Sequence, residues 1–125
     1  MKIEYGVICD LVRREDSGKL LVVGLYAADI LVPEIPHITP VTLVVWAMPA
    51  TIGKTSIEVK AELNAKQIVT GLIEMDIQLL KRSIIAFPNI PLNITEAGRL
   101  QFFVKSDEDW QSVWDGECAL NAHLI

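Results

Sequence analysis

The chain has 125 residues, of which 51% are hydrophobic and 22% are charged, and its formal net charge is −5 at pH 7. This composition excludes intrinsic disorder, and a domain of this length can bury a core of its own. The chain is acidic overall and lacks the basic patch that binding to nucleic acid or to an anionic membrane requires, so neither partner is expected. We predict that residues 1–125 form a single domain.

The N-terminal segment lacks the pattern of a secretory signal. Glu4 and Gly6 stand where an unbroken apolar stretch would be needed, and no apolar run approaches the roughly 18 residues of a membrane-spanning helix. We therefore expect a cytoplasmic protein. In that compartment, Cys9 and Cys118 are expected to be buried, reduced thiols rather than a disulfide.

Residues 7–26 predict a β-hairpin. Two apolar runs flank a polar segment that ends in Ser17 and Gly18, and this kind of turn predicts a positive φ at Gly18. The second run, residues 20–26, is apolar on both faces, and so are residues 41–48. Such strands need cover on both sides, from a second sheet and from a loop, helix or partner subunit. This predicts a homo-oligomer, with a two-fold dimer as the commonest form.

Two later segments alternate between apolar and polar residues and predict strands with one wet face. Their predicted inward side chains are Ile57, Val59, Ala61 and Leu63 in the first and Leu100, Phe102 and Val104 in the second.

Proline and turn residues set the spacing of the elements. Residues 33–40 hold three prolines and predict a rigid crossover between two sheets. Turn signals recur every roughly 8 to 14 residues, as in all-β sandwiches and barrels. Residues 75–82 fit either a strand or a short helix, and we expect the helix. The predicted fold is an antiparallel β-sandwich, immunoglobulin-like or C2-like, with seven to nine strands and at most one short helix.

No segment carries a catalytic or nucleotide-binding signature. Gly53-Lys54-Thr55 is similar to the end of a phosphate-binding loop, but Met48 stands where that motif needs its first glycine, and a predicted strand follows instead of a helix. Residues 50–54 are therefore predicted to be a hairpin-length turn. His37 and His123 lie far from each other and from both cysteines, without the spacing of zinc ligands. We expect neither an enzyme nor a cofactor.

Asp10 and Arg13 stand out because Asp10 interrupts an apolar run. A carboxylate there needs Arg13 or backbone amides to offset its desolvation. The pattern favours a structural ion pair at the rim of the sheet, with a ligand or partner contact as the alternative. Since the two residues are three apart, a direct pair in a strand requires a bend or bulge between them.

The segment of residues 107–117 contains five acidic residues and no basic one. It favours a solvated hairpin turn, with calcium held by Asp107, Glu108 and Asp109 as the alternative. Trp110 lies beside this turn and is the tryptophan we expect to present a face to solvent or to a partner.

The sequence Cys9-Asp10-Leu11-Val12-Arg13, followed by Gly18-Lys19 and Gly24-Leu25-Tyr26, resembles the opening of a family of small bacterial proteins of unknown function. That family has a Cys-Asp-Asp-Val-Arg pattern, a Gly-Lys turn and a Gly-x-Tyr strand, and Leu11 replaces its second aspartate here. The resemblance covers about the first third of the chain. It implies a small β-rich intracellular domain and supplies neither an activity nor site residues.

Two classes of function remain open. The sequence favours a non-enzymatic interaction or accessory module that binds a protein partner, because binding needs only a shaped surface. The alternative is a ligand-binding domain that holds calcium or a small polar molecule at one end of the sandwich. The candidate residues are Asp10, Arg13 and Trp110 for a ligand or partner, and Asp107, Glu108 and Asp109 for a metal.

Overall fold

The computed structural model describes residues 1–107 and 109–121, and within them the chain forms nine β-strands and no helix. No helix in these residues is long and apolar enough to cross a membrane. The strands are β1 Lys2–Arg14, β2 Leu20–Tyr26, β3 Asp29–Val32, β4 His37–Met48, β5 Gly53–Leu63, β6 Lys66–Ile77, β7 Ser83–Ile94, β8 Gly98–Lys105 and β9 Gln111–Leu120.

The strands form two sheets. Sheet A has the order β2-β1-β4-β7, and sheet B has the order β3-β9-β8-β5-β6. Neighbouring strands are antiparallel in every ladder except β3 with β9, which is parallel. The all-β prediction is confirmed, and the arrangement is sandwich-like because the inner faces of both sheets contribute to one core.

The alternating segments bury the side chains that the sequence predicts. Ile57 and Ala61 of β5 and Leu100, Phe102 and Val104 of β8 are inaccessible to solvent. The inner face of sheet A packs against them. Its buried residues include Ile3, Ile8, Leu43, Val45, Ala47, Ile85 and Phe87.

The first hairpin is confirmed in detail. The amide of Gly18 donates to the carbonyl of Glu15 at 2.9 Å, and the amide of Glu15 donates to the carbonyl of Lys19 at 2.8 Å. Gly18 has a φ of 87°. This is a three-residue loop in which the last residue adopts the left-handed conformation before the second strand begins.

The proline-rich segment crosses between the sheets as predicted, but it is shorter. Only residues 33–36 connect β3 in sheet B to β4 in sheet A. Pro40 lies within β4, opposite Pro91 of β7. Residues 50–52 also cross between sheets, so the expected hairpin at residues 50–54 is wrong.

The predicted short helix at residues 75–82 is wrong. Strand β6 continues to Ile77, with Met75 paired to Thr55 and Ile77 paired to Gly53. Period-two alternation persists here, because Ile77 is buried while the intervening Asp76 is exposed. A bend at residues 78–82 then leads into sheet A.

Both cysteines are free and buried, as predicted. Burial raises the pKa of Cys9 and raises the pKa of Cys118 to about 11. Both side chains are therefore neutral thiols at physiological pH.

We expect Gly18→Ala to lower the free energy of unfolding by about 1 kcal/mol, because alanine disfavours the left-handed conformation. A Cβ at this position would meet no atom within 4 Å, so the loss comes from the backbone and not from a clash. Urea denaturation monitored by circular dichroism measures it. Gly18→Asn should lose less, since asparagine tolerates this conformation. Equal midpoints for the wild type and the alanine variant would contradict this account of the turn.

Candidate functional site

The outer face of sheet B is mostly polar, with Leu72 exposed among its charged residues, and several of its charges are paired. Lys60 lies 3.1 Å from Glu62, and Lys105 lies 3.8 Å from Glu58. Arg99 forms a two-pronged ion pair with Asp115, with nitrogen–oxygen distances of 3.0 and 2.6 Å. This is an ordinary solvated sheet surface.

The outer face of sheet A is apolar across its four strands. The cross-strand neighbours Tyr5 and Trp46 stack with ring centroids 4.8 Å apart. Leu25 of β2 is 60% exposed and Tyr5 is 53% exposed. We call the following seven exposed side chains the apolar face of sheet A: Tyr5, Leu11, Leu21, Val23, Leu25, Met48 and Ile84.

The strand ladders place these side chains on one side of the sheet. Leu25 pairs with Cys9, Val23 with Leu11, and Ile84 with Trp46. Side chains at paired positions point to the same side of a sheet. The apolar face therefore has members on all four strands, from β2 at one edge of the sheet to β7 at the other, and it is the candidate interaction surface.

Arg13 lies at the border of this surface. It shares a shallow groove of about 260 Å³ with Leu11, Thr42, Pro88 and Asn89. Arg13 is exposed and points to the same side of β1 as Leu11. Among the described residues no ion pair to Arg13 is found. Its guanidinium is available at the rim of the apolar face.

Asp10 lies on the opposite side of β1 from Arg13, so the predicted ion pair between them is wrong. The hydroxyl of Tyr26 donates a hydrogen bond to Asp10 at 3.0 Å. Asp10 also lies over Gly24, where a Cβ would overlap the carboxylate. Gly24 has a φ of 71°, so its missing side chain and its conformation both leave room for Asp10.

The environment of Tyr26 changes its acidity. Burial, followed by the hydrogen bond to Asp10 and the charge of Asp10, raises the pKa of Tyr26 from 10.0 to about 12. Tyr26 is therefore a neutral donor to Asp10 at physiological pH. The pair joins β1 to β2 across the first hairpin.

Trp110 lies against sheet B and is half-buried. The ammonium groups of Lys60 and Lys105 lie 4.5 and 5.0 Å from its ring centroid. Trp110 therefore makes two cation–π contacts within the chain. Trp110 is not brought together with Asp10 or Arg13.

The acidic turn does not gather its carboxylates. The N-terminal ammonium group lies 3.4 Å from Asp107, and Asp115 is held by Arg99. Asp109 is exposed, and Glu108 lies outside the described residues. In the part of the chain that the structure describes, no three metal-ligating side chains form a cluster. Strands β8 and β9 are consecutive and antiparallel, as a hairpin requires, but Asp115 and Glu117 of the acidic segment lie within β9 and not in the turn.

The sequence analysis identified the apolar runs of β2 and β4 as strands that need cover on both faces. It did not identify Tyr5 of β1 and Ile84 of β7 as members of the same apolar face. The alternation of Tyr5, Val7, Cys9 and Leu11 was the available signal. It is obscured because a bulge at Glu4 shifts the register between Ile3 and Tyr5.

Comparison with protein-family models finds no match for this chain, and comparison with curated proteins finds none either.

We expect Asp10→Asn to lower the pKa of Tyr26 while leaving it above its ordinary value, because burial is the first cause of the shift. Titration of the tyrosine absorbance against pH measures this change. The Tyr26→Phe variant lacks the ionisation at the higher pH, which assigns that ionisation to Tyr26. An unchanged Tyr26 titration in Asp10→Asn would contradict the hydrogen bond.

The same pair predicts a pH dependence of stability. Because the folded pKa of Tyr26 exceeds the unfolded one, its contribution is fully present below pH 10 and is lost as pH rises towards about 12. Thermal melts should show a smaller loss over this range in Tyr26→Phe than in the wild type.

Proposed function

We propose that this protein is a non-enzymatic interaction module that forms a two-fold homodimer through the apolar face of sheet A. The observation that carries the proposal is the contrast between the two outer faces. Sheet B exposes several ion pairs, whereas sheet A exposes large apolar side chains on all four of its strands. Soluble monomers rarely expose such a surface, and a large patch commonly marks an interface.

The size of the surface fits a dimer. The seven side chains expose on the order of 600 Å², and a standard interface takes roughly 800 Å² from each partner. Trp46 and the flanking residues supply the remainder. Tyr5 and Trp46 at one end are the type of aromatic anchor that dominates binding energy.

The border of the surface is polar, as in most protein interfaces. The guanidinium of Arg82 pairs with Glu4 at 2.6 Å at one end, and Arg13 lies at the other. A two-fold axis would place the same patch on both partners, so no second kind of surface is needed.

The alternative function, a calcium or small-polar-ligand site at the end of the sandwich, has less support. Its candidate residues are dispersed: Asp10 binds Tyr26, Trp110 packs under Lys60, and Asp107 lies beside the N-terminus. Acids that diverge in this way do not provide the six to eight oxygen ligands that calcium needs.

Three finer assignments belong to the same proposal. The two-sheet architecture supports an immunoglobulin-like or C2-like sandwich, with the parallel β3–β9 pair as a departure from a purely antiparallel one. The two free cysteines support a cytoplasmic location, because disulfides are rare in that compartment. The Cys9–Arg13 and Gly24–Tyr26 patterns support membership of the bacterial family described above.

We expect Leu25→Lys to convert the dimer to a monomer, because the dimer would bury a charge in an apolar contact. Light scattering at micromolar concentration should give twice 13.9 kDa for the wild type and 13.9 kDa for the variant. The matched control is Leu31→Lys, which changes an exposed leucine of β3 in the other sheet and should leave the dimer intact. A wild-type mass of 13.9 kDa would reject the proposal.

We expect calcium to leave the midpoint of thermal unfolding unchanged, since the described carboxylates do not converge. A ligand at a hundred times its dissociation constant stabilises the folded state by about 2.7 kcal/mol. A rise of several degrees with calcium, abolished by Asp107→Asn, would favour the alternative function.

A further inference from the structure

The two sheets approach each other differently along their two sides. Beside β1 and β9 they are joined, because the side chain of Gln111 donates to the carbonyl of Ile3 at 2.8 Å. Ser106 likewise donates to the carbonyl of Met1 at 2.8 Å. Along the other side, β6 and β7 are the terminal strands of their sheets, and no ladder joins them in the described residues. A cleft of about 280 Å³ lies between residues 69–73 and residues 87–91.

The cleft reaches the core. Its walls include Val59, Phe87 and Phe102, all of which are buried. On the β6 side, Val69 and Ile73 pack against the core but are only partly buried. The cleft is therefore an apolar opening into the space between the sheets, unlike the flat face of sheet A.

Gly71 marks the middle of the β6 wall. It pairs with Val59 in a regular stretch of the ladder, and its φ is not in the left-handed region. Neither a turn nor a bulge at this position therefore calls for glycine. A Cβ here would lie 3.2 Å from Cγ1 of Val59. An interior strand glycine often marks a place where a ligand or another chain approaches closely.

The opposite wall of the cleft is formed by β7, whose irregular backbone prevents it from pairing with β6. Asn89 has a φ of 55°, and it lies between Pro88 and Pro91. The ladder with β4 shifts register here, between Val41 and Leu43. Prolines and bulges prevent an edge strand from pairing, so this segment of β7 cannot extend a ladder to β6.

The dimensions indicate the class of ligand. Five residues of extended strand span about 13 Å, so a volume of about 280 Å³ corresponds to a slot on the order of 20 Å² in cross-section. This is the width of one extended alkyl chain, and the length accommodates roughly ten carbon atoms. A flat aromatic system would need a wider slot, and a peptide strand would need room on both sides of its backbone.

We propose that the cleft between β6 and β7 binds the acyl chain of a small amphiphile, with the chain on the core side chains and the head group at the mouth. Thr70 and Asn89 are exposed beside the mouth and offer polar contacts to a head group. Apolar contact along the slot is the main source of binding energy. This site is separate from the apolar face of sheet A, so it does not depend on dimer formation.

The test is isothermal titration calorimetry with decanoate and with decanol. We expect saturable binding of both, because the chain and not the head-group charge is recognised, whereas butanol is too short to bind measurably. Gly71→Leu should weaken decanol binding by about tenfold or more, since its side chain fills the slot. Gly71→Ala is the matched control and should change binding by less than about threefold.

The design separates the cleft from other apolar surfaces. Leu25→Lys removes the apolar character of the sheet A face and should leave decanol binding unchanged. If Gly71→Leu fails to give a cooperative thermal transition, Val69→Phe narrows the same slot from its end and should weaken binding similarly. Absence of saturable decanol binding to the wild type, or loss of binding in Leu25→Lys with full binding in Gly71→Leu, would overturn the proposal.

Discussion

The rest of the molecule depends on strand β4, which is buried on both of its faces. Five consecutive side chains from Val41 to Val45 are almost inaccessible to solvent. On one face, Leu43 and Val45 join the core between the sheets. On the other, Thr42 and Val44 are also buried, and their paired neighbours on that face are Cys9 and Val7 of β1 and Ala86 of β7. A central strand of this composition requires apolar neighbours on β1 and β7, and those neighbours form the exposed face of sheet A.

The elements that the sequence predicted well are those governed by local rules. Alternation in β5 and β8 identified their buried side chains, and the Ser17-Gly18 turn identified a left-handed glycine. These features depend on neighbours within a few residues. The end of β6 was missed for the opposite reason. Its short apolar pattern fits both the period of a helix and the period of a strand. Only the pairing with Gly53 and Thr55 of β5, which are distant in sequence, decides for the strand.

The candidate site was less predictable because its contacts join distant strands. Asp10 was identified as an unusual carboxylate, but its partner Tyr26 lies across the β1–β2 ladder, whereas Arg13 is close in sequence and on the opposite face. Trp110 was expected to present a face to solvent or to a partner, and it is partly exposed, but its contacts with Lys60 and Lys105 depend on the strand order. In each case the residue was identifiable from the sequence, and its partner depended on the order of strands in the sheet.

The two proposed surfaces meet at one irregular segment of β7. Pro88 and Asn89 line the groove beside Arg13 on the outer side of sheet A, and they also line the cleft on the inner side. The shift in register between Val41 and Leu43 places this bulge against β4, the most buried strand. A ligand in the cleft would pack against the inner side of the same backbone whose outer side borders the dimer contact. None of the seven side chains of the apolar face belongs to this segment, however. Ligand binding in the cleft and dimer formation are therefore expected to be independent, which is why Leu25→Lys should bind decanol as the wild type does.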